Sequence, residues 1–302
     1  MGWIFEGPFH QSHLRDANLC MKMFELKHRY GAPPESRGLP LVNGTAIHRA
    51  IERVHNEDLF HFSELDLGAV YRESFAEAID REPDIPIRWD TDKKTDLAKL
   101  SADAGQILKN YCSRAHNRQC DVLLSEATFS VDIGGYPFVG TIDQVRKQHG
   151  GIVLIDFKSG KTKPMDHVLR IGLQFSVYTH GLLSGEFENG VNGMPRALPD
   201  QVVHYQLNDH LTYKKNGKWG KAGEERGPAW YPTERTEHDL EASTEEIKRI
   251  CGNIRRGTFP RTAQDMVCRM CAVKDACLED YKHGGLNNNL VRKLKITLNE
   301  EE

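Results

Sequence analysis

An α/β fold is what this sequence predicts, and three observations carry the prediction. Three consecutive extended runs lie at residues 122–131, 136–145 and 152–157, parted by glycine turns at Gly134-Gly135 and Gly150-Gly151. Helical periodicity fills the stretches that precede them. A further helical stretch, 167–183, separates them from a fourth extended run at 202–206.

Each element has its own justification. Between residues 44 and 54, Ile47, Ala50, Ile51 and Val54 recur at three- and four-residue intervals, predicting a helix with His48 in its second turn. Helices are also expected at 67–79 and 95–112, divided by the proline-bearing stretch 82–89, and together these form a helical cover. The extended runs carry Glu126, Asp143 and Asp156, and in the helix at 167–183 Gln174 and Tyr178 share one face. Residues 184–200, rich in glycine and proline, read as a loop. Residues 208–233 mix Lys214, Lys215, Lys218 and Lys221 with Tyr213, Trp219, Trp230 and Tyr231, which reads as an exposed insertion of hairpin type. A helix at 244–256 leads into a cysteine-rich segment, and residues 284–302 read as a loosely ordered polar tail. The expected division is an N-terminal segment 1–43, a core 44–206 with a helical insertion at about 60–115, the basic and aromatic insertion 207–235, a C-terminal helix and cysteine segment 236–283, and the tail.

Composition narrows the class. With 302 residues and 39% hydrophobic content, the chain has room for one large or two modest domains and a real core. Its net charge of -3 carries no global basic signature, so any nucleic-acid contact must come from local patches. No apolar stretch reaches the length of a membrane span, and Met1-Gly2-Trp3-Ile4-Phe5-Glu6 lacks the charged-then-apolar pattern of an export signal. A soluble, cytoplasmic protein without a membrane partner is the expectation. The seven cysteines, an odd number with no export signal, favour metal binding over a disulfide scaffold.

Two groups of residues carry chemistry. Asp156-Phe157-Lys158 closes an apolar run, and on a strand its first and third residues share a face, offering a carboxylate to a hard divalent cation and an ammonium to a phosphate or an attacking water. Alone, such a triplet is also what a solvated ion pair looks like. Cys268-x2-Cys271-x5-Cys277 clusters three thiols, and Cys20 supplies a fourth near the other end of the chain. Four thiolates suit a tetrahedral zinc ion or an iron-sulfur cluster, and spacing alone does not separate the two. Cys112, Cys120 and Cys251 have no partners at ligand spacing and read as buried or free thiols. Lys214, Lys215 and Lys218 beside Trp219 form a candidate ridge for phosphates and bases, with Arg255, Arg256 and Arg261 as a second basic patch near the cysteine segment; a solvated hairpin accounts for the same lysines.

Gly44-Thr45-Ala46-Ile47-His48, Gly140-Thr141-Ile142-Asp143, Asp156-Phe157-Lys158 and Gln174-Phe175-Ser176-Val177-Tyr178 follow one another on helix, strand, strand and helix. In these motifs the sequence resembles the PD-(D/E)xK nuclease superfamily, specifically its RecB-like branch, which includes AddB-type nucleases and iron-sulfur nucleases of CRISPR adaptation and phages. The resemblance spans roughly residues 20–281. It implies a restriction-endonuclease-like core, a mixed central sheet flanked by helices, with a helical cover and a C-terminal iron-sulfur segment. It further implies that His48, Asp143 and Asp156 ligate Mg2+ or Mn2+ with help from the Phe157 carbonyl, and that Lys158 orients water or offsets phosphate charge. Carboxylate oxygens suit both ions, and an imidazole ligand tilts the preference somewhat toward Mn2+. Glu126 is the candidate ligand for a second ion, and Gln174 and Tyr178 line the site. For Cys20, Cys268, Cys271 and Cys277 the resemblance implies a 4Fe-4S cluster acting as a structural clasp. The implied activity is exonucleolytic cutting of DNA single strands or ends in replication, recombination or repair. The alternative is a DNA-end-binding subunit of a CRISPR-adaptation or recombination complex in which cutting is minor.

Overall fold

The computed structural model describes residues 5, 7–32, 37–89, 96–160, 164–188, 196–207, 214–215, 218–219 and 229–284, with backbone alone at 214–215, 218–219 and 229. The chain starts with helices α1 (Gln11–Leu19) and α2 (Met21–Phe24), the latter running into a π-helical turn, Glu25–Arg29. A short strand β1 (Arg37–Gly38) leads into α3 (Leu39–Asn56). Proline in the first turn of α3 sits where no intrahelical N–H is needed, and Val42, Ala46, Ile47, Ala50, Ile51 and Val54 form its buried stripe. After a 3-10 turn at Leu59–His61 come α4 (Glu64–Asp80), β2 (Ile87–Arg88), α5 (Leu97–Ser113) and α6 (Ala115–Arg118). Ser63 and Asp66 close a reciprocal capping box on α4, and the Asp96 carboxylate accepts the Lys99 N–H to start α5.

Strands β3 (Asp121–Ile133), β4 (Tyr136–Gln148) and β5 (Gly151–Lys158) form a meander. Its two connections, Gly134-Gly135 and His149-Gly150, both hold two successive positive φ angles, the geometry that matches the twist of flanking strands. Helices α7 (Asp166–Ile171) and α8 (Leu173–Ser184) follow, then β6 (Glu186–Phe187) and β7 (Gln201–Gln206). The chain continues through β8 (Lys214–Lys215), β9 (Lys218–Trp219), β10 (Ala229–Thr233), α9 (Glu237–Arg255), α10 (Asp265–Arg269) and α11 (Lys274–Lys282).

The central sheet runs β10-β7-β5-β4-β3-β6. Its β5–β7 pair is parallel and its other pairs antiparallel, so the sheet is mixed, with α7 and α8 in the β5-to-β7 crossover. Alternation along the strands gives it two buried faces. Val153, Ile155, Phe157, Val203 and Tyr205 pack under α3, α4 and α5, while Ile142, Val145, Leu154 and Val202 pack under α1, α8 and α9. The result is the expected sheet between helical layers.

Four expectations need correction. The helix at 167–183 is two helices, because Gly172 is extended (φ -63°, ψ 125°) and the buried Arg235 guanidinium donates to the Leu169 and Gly172 carbonyls at the break. Residues 229–233 are not part of an exposed insertion: β10 pairs with β7 along its whole length and forms one edge of the sheet. The helix expected at 244 begins at Glu237, where Thr236 and Asp239 form a capping box. Within the stretch read as loop, Glu186 and Phe187 pair with β3. The lysine-rich insertion is a backbone hairpin of β8 and β9; the side chains of Lys214, Lys215, Lys218 and Trp219, together with Tyr213, Lys221 and the tail 285–302, lie outside the described residues. No described helix is long and apolar enough to cross a membrane.

Candidate active site

Strands β4 and β5 pair from Gln148↔Gly151 to Gln144↔Ile155 and then part. Asp143 and Asp156 are the first residues beyond the fork. The Asp143 carboxylate fills it, its Oδ2 accepting the Phe157 N–H at 2.7 Å in place of a ladder bond. Beyond the fork β5 stays paired with β7 through Lys158↔Gln206, so the Asp-Phe-Lys triplet keeps its strand geometry on one side. On the other neighbour the β3–β4 register passes from Ser125↔Gln144 to Ala127↔Ile142, leaving Glu126 opposite Asp143 with φ at +46°. A left-handed non-glycine residue costs on the order of 1–3 kcal/mol and is a hallmark of functional positions.

Helix α3 brings the next group. A Cβ on Gly44 would stand 3.1 Å from Ser159 Oγ, so the bare glycine allows α3 to lie close to the end of β5. One turn later His48 stands over the fork, with Nδ1 3.5 Å from Asp143 Oδ2 and 3.7 Å from Glu126 Oε1. The backbone of Phe157 weakly favours the charged form of the imidazole. The ligand atoms of His48, Glu126 and Asp143 all lie within 4.8 Å of one another.

Asp156 lies outside that three-residue group and is 1% exposed. Lys158 Nζ contacts both its oxygens, at 2.8 and 2.7 Å, and Gln174 Nε2 donates to Oδ1 at 2.8 Å and to the Tyr178 hydroxyl at 2.9 Å. Oδ2 has that ammonium beside it but no donor in hydrogen-bond geometry, which leaves a lone pair for a cation.

The electrostatics describe a site short of positive charge. Burial raises Glu126 to about 8, with Asp143 and Glu52 adding to it against Arg81 and Arg49. Burial likewise raises Asp143 to about 6 against the pull of Lys158 and the Phe157 N–H, and it raises Asp156. His48 is held neutral, lowered to about 4 by burial although Asp156 favours its charged form. Burial opposes the Lys158 ammonium, yet Asp156 and Asp143 prevail and its pKa is raised. One neutral imidazole and two carboxyl groups form a donor set for a hard divalent ion. An octahedral ion with bonds of about 2.1 Å needs ligand atoms roughly 3.0 to 4.2 Å apart. The 3.5 and 3.7 Å separations fit that range.

A family model for the PD-(D/E)XK nuclease superfamily matches residues 8–278. The chain belongs to the PD-(D/E)xK nuclease superfamily. Superfamily nucleases use divalent metals, which agrees with the donor set at the fork. No curated protein matches the chain. Among solved structures, a putative exonuclease from Eubacterium rectale is 12% identical, with a TM-score of 0.50 over 87% of this chain and 88% of that one, a likeness of fold. The structure of SSO0001 is 13% identical and covers 84% of this chain and 93% of that one, with a TM-score of 0.28.

Within this nuclease the structure brings His48, Glu126, Asp143, Asp156, Phe157, Lys158, Gln174 and Tyr178 together, and it rearranges their emphasis. Glu126, not Asp156, completes the tight donor group with His48 and Asp143, while Asp156 is tied to Lys158 and Gln174. Arg255 and Arg256 are not brought to this site. The Arg255 guanidinium stacks 4.2 Å from the Tyr136 ring centroid, and Arg256 donates to Asn253. Tyr136 lies seven residues along β4 from Asp143, about 23 Å away at strand spacing. Sequence reasoning missed Arg49, Arg81 and Thr128, which with Thr45, His48, Glu52, Glu126 and Thr141 line a cleft of about 410 Å3 beside the donor group. Thr45 and Thr141 were visible inside the motifs; Arg81 had no local signal.

Proposed function

We propose that this superfamily member is a Mg2+- or Mn2+-dependent DNA exonuclease acting on single strands or DNA ends. The observation that carries the reading is the His48–Glu126–Asp143 donor group set against the Asp156–Lys158 pair at the β4–β5 fork. His48, Asp143 and Glu126 would hold the ion, with Asp156 and the Phe157 carbonyl beside them. Such an ion supplies an activated water and charge to offset the phosphate. Lys158 holds an ammonium where charge builds on the phosphate, and the two Asp156 contacts fix its position. Gln174 fixes the Asp156 carboxylate and the Tyr178 hydroxyl in turn, a positioning role.

We assign Cys20, Cys268, Cys271 and Cys277 to a 4Fe-4S cluster. Cys271 is supported as a member of a four-thiol group because burial and then Cys277, Cys20 and Cys268 raise its pKa. Cys20 caps α2, and although burial opposes it, N–H groups of Thr262, Met23 and Lys22 lower its thiol, as a thiolate ligand requires. Among the described residues the four sulfurs form no group of three within 4.8 Å.

The test is digestion of 5'- and 3'-labelled single- and double-stranded DNA with Mg2+ or Mn2+. Asp156→Ala and Lys158→Ala are expected to lower the rate on the order of 10^3-fold while leaving the fold intact by circular dichroism. Full activity in both variants would remove the site assignment. Tight binding of DNA ends by an inactive wild type would favour the end-binding role.

A further inference from the structure

Resting on the nuclease reading, we propose that Arg81 is a positioning residue that grips a backbone phosphate of the substrate strand in the cleft beside Glu126. The cleft lies between α3, the end of α4 and the β3–β4 hairpin, and shares His48 and Glu126 with the donor group. Its volume, about 410 Å3, falls in the range of single-ligand pockets. Of its two guanidinium groups Arg49 is occupied, bound to Glu52 and to Glu77. Arg81 is exposed and has no ion pair with a described residue.

Two further features support a phosphate grip. Arg81 is the C-cap of α4, and the backbone on both sides of it is pinned: the buried Arg37 donates to the carbonyls of Ala78, Ile79 and Glu82 at 3.1, 3.1 and 2.8 Å. The guanidinium therefore rises from a fixed helix end and not from a loose loop. The remaining lining is Thr45, Thr128 and Thr141 with Glu52, and the Thr128 and Thr141 hydroxyls stand 3.3 Å apart across the hairpin. His48 is the sole ring in the lining. Beside the carboxylates of Glu52 and Glu126, a lining of hydroxyls and guanidinium groups with no aromatic ring but the His48 imidazole reads phosphate and sugar, not base identity.

The experiment is steady-state cleavage of two single-stranded 20-mers of unrelated sequence, with Mn2+ titrated, by wild type, Arg81→Ala, Arg81→Lys and the remote control Arg249→Ala. In parallel, fluorescein-labelled 20-mers are bound in Ca2+ and followed by anisotropy. For Arg81→Ala we expect KM and Kd to rise about tenfold on both sequences, with kcat changed less than threefold and partial rescue by lysine. The slope of log(kcat/KM) against log salt should become shallower by about 0.7, one phosphate contact on a single strand. Half-saturation by Mn2+ should not move. An unchanged Kd and KM, an equal loss in Arg249→Ala, or a shift confined to Mn2+ half-saturation would overturn the proposal; the last would mean that Arg81 serves only Glu126. The anisotropy arm decides the matter even if the wild type cuts nothing, a result that would defeat the nuclease reading separately.

Discussion

Glu126 stores two kinds of strain in one side chain, a left-handed backbone and a carboxyl that burial and Asp143 push to about 8. Asparagine tolerates left-handed φ and carries no charge. Glu126→Asn should therefore leave the metal-free protein as stable as wild type or more so, by about 1 kcal/mol, while activity falls. A drop in thermal midpoint alongside activity would show that Glu126 is a structural residue. His13 supplies a pH test away from the site. Burial and then His28 and His10 hold it down to about 3, so the folded state binds its proton more weakly than the unfolded state, whose value is near 6.5. Its contribution is whole above pH 6.5 and declines as pH falls toward 3. The thermal midpoint should drop across that window, and His13→Gln should make the drop shallower. At this scale the sequence showed His48, Asp143, Asp156, Lys158, Gln174 and Tyr178, because motif spacing survives in one dimension. It hid the conformation of Glu126, which no strand pattern encodes, and Arg81, which meets His48 only through the packing of α3 on α4.

Among the elements, α8 depends on a close contact with a core ring. A Cβ on Gly181 would lie 2.4 Å from the Phe129 ring, and one on Gly140 would lie 2.7 Å from the same ring. Phe129 is fully buried between the two glycines and has nowhere to retreat. Gly181→Ala should cost about 1–3 kcal/mol by overpacking, and Phe129→Leu in the same chain should recover part of it. Since α8 also carries Gln174 and Tyr178, the alanine variant should lose activity beyond its loss of stability. Denaturant titration with parallel rate measurements checks both; equal costs with and without Phe129→Leu would show the ring is not the cause. The helices and strands themselves were legible from periodicity and glycine turns. The break at Gly172 was not, because its cause, Arg235, lies 63 residues on and acts through the fold.

For the whole molecule, the segments around Cys20 and Cys277 meet on a very small apolar base. Among the described residues only Met23, Leu26 and Val273 are buried in the third core cluster, with Cys20, Cys271 and Cys277 at its margin, whereas the two faces of the sheet bury large cores. So little apolar area needs a staple. Linking residue 20 to residue 277 closes a loop of most of the chain, worth about 5 kcal/mol by the entropy model used for disulfides. Anaerobically purified protein should carry about four irons per chain, and Cys277→Ala should lose iron and melt earlier than wild type. Stoichiometric zinc without iron would retire the cluster. The layered α/β architecture was readable in the order of helical and extended runs. The edge position of β10 was not, because lysines and aromatics around it outweighed a five-residue strand signal, and pairing with β7 is a non-local event.

The fork between β4 and β5 makes one amide a gauge. The Phe157 N–H is buried and donates to the Asp143 carboxylate, so a cation drawing charge from that carboxylate must weaken the bond at its other end. The proton resonance of this single amide should therefore move upfield as Mg2+ is added, reporting occupancy from within the core before any DNA is cut.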